Sequence, residues 1–220
     1  MSPIIAGIAT FFSVGAFIFY AVAASGYSQD STLKGSKWFY LDGTNSNNYK
    51  YKIYFGLKWF LVSIPDDDDY RRFYKYDNYS ANDDSIDNTM DKCDSSGKSA
   101  IGLTVVACIF SFITILANGA GGVTEDIRVK AVSAVLSIIS CVFGMIAVGV
   151  FITSCYNKFN AVLLDSDNLH YGTGSILAVT AFIFSWTAFI LAFVNIVADC
   201  SNVSGYNLKP RTGQALADRI

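Results

Sequence analysis

Four consecutive carboxylates, Asp66–Asp69, form the densest group in the sequence that could do chemistry. They follow Pro65 and stand just before Arg71 and Arg72. In an extended chain neighbouring side chains point to opposite sides, so four adjacent carboxylates cannot all face one ion. The run also lacks the central glycine and the terminal glutamate of an EF-hand loop. We expect a solvated hairpin tip, and the alternatives are a weak Ca²⁺ site or an electrostatic contact with a basic partner.

The five cysteines are too far apart in the sequence for a metal-binding knuckle. Cys108 and Cys141 fall inside apolar runs, where inert packing is expected. Cys93 precedes the apolar run 99–118 and Cys155 ends the run 131–155, so both thiols would lie near one membrane surface, facing an oxidising compartment. We predict a Cys93–Cys155 disulfide. Cys200 follows the run 172–198, where palmitoylation and a free thiol both fit.

No group of residues in the sequence has the pattern of a catalytic, cofactor-binding or metal site. The single histidine, His170, has no nucleophile, oxyanion motif or metal ligand beside it. A net charge of −2 provides no basic surface for nucleic acid. The apolar runs contain no acidic or basic residue and are not broken by proline, which disfavours transporters and voltage sensors. We therefore expect a protein that is not an enzyme and has no cofactor.

Four apolar runs must position these groups. Charged residues make up only 15% of the 220-residue chain, against about 25% in soluble domains. Each run is as long as the roughly 20 residues that cross a bilayer core of about 30 Å. We predict a membrane α-helical fold with four transmembrane helices, in residues 1–25, 99–118, 131–155 and 172–198. The first run could be a cleaved signal peptide, since Ala21-Val22-Ala23 resembles a cleavage site, but the lack of a basic segment before it and the length of its apolar run favour an uncleaved anchor.

The distribution of lysine and arginine predicts the orientation. The link 119–130 carries Arg128 and Lys130, and the tail 199–220 carries three basic residues, whereas the link 156–171 has only Lys158. Basic residues accumulate on the cytoplasmic side. We therefore predict that both termini are cytoplasmic, in the plasma membrane or an endomembrane, and that 26–98 and 156–171 lie outside.

Two short motifs carry further predictions. Asn78-Tyr79-Ser80 is an N-glycosylation sequon in the predicted outer segment. The chain ends in an apolar residue, Ile220, with an acid two positions before it, which fits a PDZ-type groove.

Residues 26–98 are too long for a structureless link and contain strand patterns. We expect a small antiparallel sheet of three to five strands. The aromatic and β-branched segments that would form it are Lys37–Leu41, Tyr49–Ile64 with a bulge or bend at Gly56, and Arg71–Tyr76. The segments Gly43–Asn48 and Asp77–Lys92 have turn and loop compositions.

Trp38, followed by Gly56-Leu57-Lys58-Trp59 at a similar distance, resembles the Trp and Gly-Leu-Trp motif of the claudin superfamily. The layout of the chain is similar too. The resemblance implies four spans, a first outer loop folded as a sheet, a short second outer loop, and both ends inside. The sequence departs from the family in the inserted Lys58 and in the missing cysteine pair, since the loop has only Cys93. The Cys93–Cys155 disulfide would replace the missing bridge.

These observations predict a non-enzymatic membrane protein that associates laterally, and also between cells, through its outer sheet. The partner would be another copy or another membrane protein. Two alternatives remain: an auxiliary subunit of a larger channel or receptor, and an oligomeric channel in which the aspartates attract cations. The predicted contact surface consists of aromatic and apolar strand residues: Trp38, Phe55, Leu57, Trp59, Phe60, Phe73 and Tyr74.

Small residues recur at steps of three and four along the fourth apolar run. They are Gly174, Ala178, Ala181, Ser185, Ala188, Ala192 and Asn195. Small residues let helices approach closely in lipid. We expect this seam to pack on another span of the same chain, such as the first with its Gly7 and Gly15, or to form a lateral contact with another subunit. Asn195 would supply an interhelical hydrogen bond.

Overall fold

Four long helices and a five-stranded sheet account for most of the chain. The computed structural model describes residues 3–27, 32–44, 49–64, 67–79, 84–123, 126–162 and 168–206. The helices are α1 (Pro3–Ala24), α2 (Thr32–Gly35), α3 (Asp84–Val123), α4 (Ile127–Phe151), α5 (Asn157–Val162) and α6 (Thr173–Tyr206). The strands are β1 (Phe39–Thr44), β2 (Lys50–Phe55), β3 (Trp59–Ile64), β4 (Asp67–Lys75) and β5 (Asn168–Tyr171). Helical turns follow α1 (Ser25–Tyr27) and β4 (Tyr76–Asn78), and a π-helical turn (Ile152–Tyr156) joins α4 to α5.

Helices α1, α3, α4 and α6 form a four-helix bundle, and all four are long and apolar enough to cross a membrane. Helix α1 packs between α3 and α6, and α4 packs between the same two helices on the opposite side. Buried positions are small, such as Ala16, Ala107 and Ala181, while large apolar side chains such as Phe11 and Ile109 point outward. This inverted distribution is typical of bundles whose outer surface meets lipid. The chain therefore has the architecture of a multi-pass membrane protein.

Helix α3 begins fifteen residues before the predicted start of the second span, and Asp84–Lys92 is helical rather than the loop that its composition predicts. At 1.5 Å per residue, its 40 residues extend about 60 Å, twice a bilayer core of about 30 Å. Its first half buries Met90 and Cys93 against the sheet. Tertiary packing thus overrides the weak helix propensity of aspartate. The link to α4 is also shorter than predicted, since α3 ends at Val123 and Asp126 caps α4 by accepting from the Arg128 amide at 2.9 Å.

The sheet is antiparallel throughout, in the order β4-β3-β2-β1-β5. The predicted long strand Tyr49–Ile64 is two strands, β2 and β3. A tight turn joins them, in which the Gly56 amide donates to the Trp59 carbonyl at 2.9 Å. A Cβ at Gly56 would lie 2.2 Å from the Gly26 carbonyl oxygen, so the turn needs glycine. The predicted bend at this position is therefore a full chain reversal.

The acidic run lies between the antiparallel strands β3 and β4, in line with the predicted hairpin. Strand β4 nevertheless begins within the run, at Asp67, so three of the four aspartates belong to the strand. Ser63 pairs with Arg71 and the next residue, Ile64, pairs with Asp67, so residues 68–70 of β4 are inserted between two consecutive pairs of the ladder. Pro65 and Asp66 lie outside the described residues. Strand β4 is an edge strand, and charged residues are common on edge strands.

The second link, predicted as a short loop, supplies α5 and the fifth strand. Strand β5 pairs with β1, with His170 opposite Tyr40, and the two rings stack with centroids 5.0 Å apart. This explains the solitary histidine as part of the sheet. The four-residue strand has no strong pattern of its own, and its pairing is set by the position of β1.

One face of the sheet, which we call the bundle face, packs on the helix ends. Phe39 stacks on Phe55 with ring centroids 4.3 Å apart, and both join the core that contains Phe151 of α4. Trp38 lies edge-on to Phe151 at 5.0 Å, and its indole nitrogen donates to the Ala23 carbonyl at 3.0 Å. The sheet is therefore tied to both α1 and α4.

Two further contacts fix the sheet and the turns around it to α3. The predicted disulfide is present: Cys93 of α3 and Cys155 of the π-helical turn are bonded, with their Cα atoms 4.6 Å apart. Gly97 lies against the β2–β3 turn so closely that a Cβ would be 1.8 Å from the Leu57 carbonyl oxygen. The first half of α3 thus contacts the sheet through the backbone of the β2–β3 turn.

Candidate interaction surface

Four of the seven predicted contact residues are in the core. Trp38, Phe55, Leu57 and Phe60 are at most 2% exposed and lie in the cluster that joins the sheet to the helices. They cannot contact another molecule in the folded protein, and we correct their assignment from surface to core. Alternation of side chains along a strand separates two faces but does not tell which one is covered.

Trp59 and Phe73 lie on the opposite side, which we call the distal face. Both are partly exposed and pack beside the buried Tyr54 and Leu61. Leu33 of α2 covers this small cluster. The distal face therefore exposes apolar and aromatic surface that could contact another molecule. The buried cluster beneath it holds this surface rigid.

Tyr74, the seventh predicted contact residue, is on the bundle face at the free side of the sheet. Its ring stacks on Phe60 at 5.2 Å and meets Tyr79 edge-on at 5.6 Å. The residue is partly buried. Its ring closes the end of the aromatic row that runs from Phe39 across the strands, so its main contacts are internal.

Two lysines lie over tyrosine rings of the distal face. The Lys37 ammonium is 5.4 Å from the Tyr40 ring centroid and 5.3 Å from that of Tyr54, and Lys34 is 5.7 Å from Tyr54. Such cation–π contacts hold the lysine stems against the rings. Partial burial, followed by the charges of Lys34 and Lys52, lowers the pKa of Lys37. The distal face is therefore aromatic and cationic at its centre, a feature that the strand-based prediction missed although the Lys34–Lys37 spacing was visible.

The two edges of the sheet differ. Strand β5 is four residues long and is braced by Tyr156, whose ring stacks on Tyr171 at 4.5 Å and whose hydroxyl donates to the Leu169 carbonyl at 3.3 Å. Strand β4 is nine residues long and pairs only with β3 among the described strands. The second side of β4, the longest strand of the sheet, therefore faces no other strand in the described part of the chain.

A buried tyrosine holds the C-terminal end of the β4 edge in place. Tyr76 follows the strand, is fully buried, and donates from its hydroxyl to the Gly56 carbonyl at 3.0 Å. Burial, with a smaller contribution from the charge of Asp94, raises the pKa of Tyr76 well above its usual value. The phenol therefore stays neutral and keeps this hydrogen bond over the physiological pH range. The edge strand is held firmly at its C-terminal end.

The seven small residues of α6, from Gly174 to Asn195, are all buried, and α6 packs on α1 and α4 of the same chain. Gly15 of α1 participates, since a Cβ there would lie 2.5 Å from the Phe184 ring, whereas Gly7 is exposed with nothing near it. The seam thus serves the internal packing of the bundle and leaves no small-residue face on this side for a second subunit.

Asn195 does not make the expected interhelical hydrogen bond through its side-chain oxygen. Its Oδ1 is buried and has no partner among the described residues, and it borders a cavity of about 10 Å³. Asn118 and Ser133 border the same cavity: Ser133 donates to Asn118, and Asn118 donates to Ser13 at 3.2 Å. The cavity has the size and polarity for one water molecule.

An ion pair closes the bundle beside this cavity. Lys130 is only 7% exposed and donates to Asp199 of α6 at 2.6 Å. The sequence places Lys130 in a link, but the residue lies in the first turn of α4. Lys130 therefore acts as a structural contact between α4 and α6 in addition to any role in setting the orientation.

The remaining predicted sites stay predictions. Asn78 is exposed, as glycosylation requires, and Ser80 of its sequon lies outside the described residues. Cys200 is an exposed free thiol, and Cys108 and Cys141 are free. The predicted PDZ-binding end falls in residues 207–220, also outside the described part. In the part of the chain that the structure describes, no three His, Cys, Asp or Glu residues are grouped as a metal site would need.

The surface that emerges consists of the β4 edge and the distal face beside it. The chain matches no protein-family model and no curated protein, so functional conclusions rest on this geometry.

Proposed function

We propose that this chain is a non-enzymatic, multi-pass membrane protein that associates laterally with other copies of itself through the free edge of its sheet, in the manner of a claudin-like membrane organiser. The observation that carries the proposal is the nine-residue edge strand β4, which pairs with β3 alone among the strands that the structure describes. An edge strand offers backbone donors and acceptors to another strand. The positions of basic residues support a sheet outside the cell or in a lumen, with both termini in the cytoplasm.

The charge pattern of β4 selects a second β4 as its partner. The strand reads Asp67-Asp68-Asp69-Tyr70-Arg71-Arg72-Phe73. If two copies pair antiparallel around Tyr70, Asp68 of one copy stands opposite Arg72 of the other, and Asp69 stands opposite Arg71. The two-fold axis repeats both pairs, which gives four opposite-charge pairs. Charged edges usually prevent pairing, but this sequence is complementary to itself in this register.

The same register determines how the two bundles are arranged. In an antiparallel pair, the two-fold axis is perpendicular to the sheet, so both copies keep the same face on the same side. The bundle face of each sheet packs on its own helices. The two helix bundles therefore lie on one side of a joint ten-stranded sheet, which supports lateral association within one membrane rather than contact between two cells.

Cross-strand pairs of opposite charge contribute roughly 0.2–1 kcal/mol each. Four pairs contribute about 1–4 kcal/mol, or about fivefold to several hundred-fold in the dissociation constant. The double variants D68R/D69R and R71D/R72D each replace all four attractive pairs by like-charge pairs. Each should lose self-association, while a mixture of the two should restore four attractive pairs and recover it.

The test uses two differently tagged copies in one cell, with capture through one tag and quantification of the other. The matched control is D68R/D69R/R71D/R72D, which has the same composition as the natural strand and restores self-complementarity. We expect capture for the natural pair, for the mixed pair and for the fourfold variant, and strongly reduced capture for each double variant with itself. Undiminished capture of either double variant with itself, or no recovery in the mixture, would contradict the β4 register.

A second candidate function, an auxiliary subunit, is favoured by the distal face. The lysine-covered tyrosines Tyr40 and Tyr54 would suit a partner that presents acidic and aromatic groups. Crosslinking in native membranes followed by mass measurement separates the candidates: a larger partner that is lost with K34E/K37E, while self-capture persists, would favour the auxiliary role.

A further inference from the structure

A polar groove lies between the first half of α3 and the segment that joins α4 to α5. Its volume is about 390 Å³. Lys92 and Ser95 border it from α3, and Ser154 and Lys158 border it from the other side. Both lysines are exposed, and no acidic side chain among the described residues lines the groove. The groove therefore combines two positive charges with hydroxyl groups, which is the chemistry that binds a phosphate.

The walls of the groove are fixed relative to each other. Cys93 follows Lys92 directly, and its disulfide to Cys155 joins the two walls behind the groove. The two lysines are thus held on opposite sides of one opening.

The groove lies where the polar half of α3 meets its apolar half. Val150 of α4 forms its apolar end. Further along α3, Gly102 has nothing within 4 Å of the position of a Cβ, so the surface stays open there. The stacked rings of Phe110 and Phe143, with centroids 6.1 Å apart, then bridge the two helices. The polar opening therefore continues into an open apolar strip.

The length of this strip matches one leaflet. Eleven residues separate Ser99, at the groove, from Phe110, which corresponds to about 16 Å along a helix. Half of a bilayer core of about 30 Å is about 15 Å. A lipid whose phosphate lies between the two lysines would therefore place an acyl chain along Gly102 and its end at the phenylalanine pair.

We propose that this groove binds an anionic phospholipid of the leaflet nearest the sheet, with the phosphate between Lys92 and Lys158 and one acyl chain over Gly102. The inference rests on the placement of the four helices in a membrane and does not depend on association through β4. The lipid is selected by its net negative headgroup, since two lysines exceed the single charge of a phosphodiester. When bound there, the acyl chain covers the open surface of α3 at Gly102, below the disulfide.

The test is native mass spectrometry of the purified full-length protein after exchange into mixed micelles with phosphatidylglycerol, phosphatidylcholine or inorganic phosphate. The variant is K92Q/K158Q, and the matched control is K34Q/K37Q, which removes the same charge from the distal face. Near an anionic surface each lysine contributes about fivefold, so we expect about 30-fold weaker phosphatidylglycerol binding for K92Q/K158Q. The control should bind as the natural protein does.

Gly102→Phe provides an independent arm, because it fills the strip and leaves both lysines. It should weaken retention of the lipid, whereas Gly119→Phe, on the same helix and also in open space, should not. Non-reducing mass mapping of the Cys93–Cys155 bond verifies the fold of every variant. Equal phosphatidylglycerol binding by K92Q/K158Q and K34Q/K37Q, equal retention of phosphatidylcholine and phosphatidylglycerol, or displacement of the lipid by inorganic phosphate at millimolar concentration would overturn the proposal.

Discussion

Substitution of Gly97 by alanine tests how the sheet is attached to α3. The new Cβ would lie 1.8 Å from the carbonyl oxygen of Leu57 and 2.8 Å from its carbonyl carbon. The obstacle is backbone, so it cannot rotate away, and the turn must move by more than 1 Å. Leu57 is fully buried and its amide donates to the Gly26 carbonyl at 2.9 Å, so this movement strains both the packing and a hydrogen bond.

Overpacking of a core usually costs about 1–3 kcal/mol, and a weakened hydrogen bond adds roughly 0.5–1.5 kcal/mol. We expect Gly97→Ala to lose about 2–4 kcal/mol of stability. The matched control is Gly119→Ala on the same helix, where nothing lies within 4 Å. There the removal of glycine from a helix interior should be neutral or slightly stabilising.

The assay is the fraction of purified protein that remains monodisperse in detergent after heating, measured by size-exclusion chromatography for both variants. Non-reducing mass mapping of the Cys93–Cys155 bond gives a second readout, since Cys93 precedes Gly97 by one turn. We expect lower thermal stability and partial loss of the disulfide for Gly97→Ala alone. A Gly97→Ala protein as stable as the Gly119→Ala control, with the disulfide intact, would refute the close docking of turn and helix.

Two further substitutions probe the bundle by the same thermal assay. Gly144→Ala should lower the thermal stability, because its Cβ would lie 1.9 Å from the Tyr20 hydroxyl. Adding Tyr20→Leu should relieve part of this cost, whereas stability losses that simply add in the double variant would argue against the contact. Lys130→Met should cost about 1–3 kcal/mol of stability, less than for a fully buried pair, because Asp199 stays partly exposed. Asp199→Leu in the same chain should recover stability, and a double variant as unstable as the single one would contradict the ion-pair contact.

The bundle could be predicted from the sequence because one property, the length of the apolar runs, determines it. The seam of α6 could be predicted for a related reason, since a helix repeats its face every three to four residues. The start of α3 could not be predicted from composition. Its aspartates favour loops, while Met90, Cys93 and Gly97, spaced three and four apart, favour a helix that is stable only when the sheet covers it.

The sheet was predictable as a sheet, but its contact surface was not. Phe60 and Leu61 are neighbours of similar hydrophobicity, and one packs on the helices while the other packs under α2. Which face meets the bundle depends on tertiary packing, which the alternation of a strand does not specify. Strand β5 also depends on tertiary packing, because Asn168–Tyr171 forms a strand by pairing with the free edge of β1.

A cysteine at position 70 tests association through β4 most directly, because only the proposed register places this residue opposite itself. Opposed Cα atoms in an antiparallel pair are about 4.5–5.5 Å apart, within the roughly 4.4–6.8 Å that a disulfide spans. The experiment uses Tyr70→Cys in a Cys200→Ser chain, oxidised in native membranes, with Asn168→Cys on β5 as the control for the other edge. We predict a reducible dimer for Tyr70→Cys and little for Asn168→Cys. The absence of a dimer at position 70, or equal dimer at both positions, would contradict lateral association through β4.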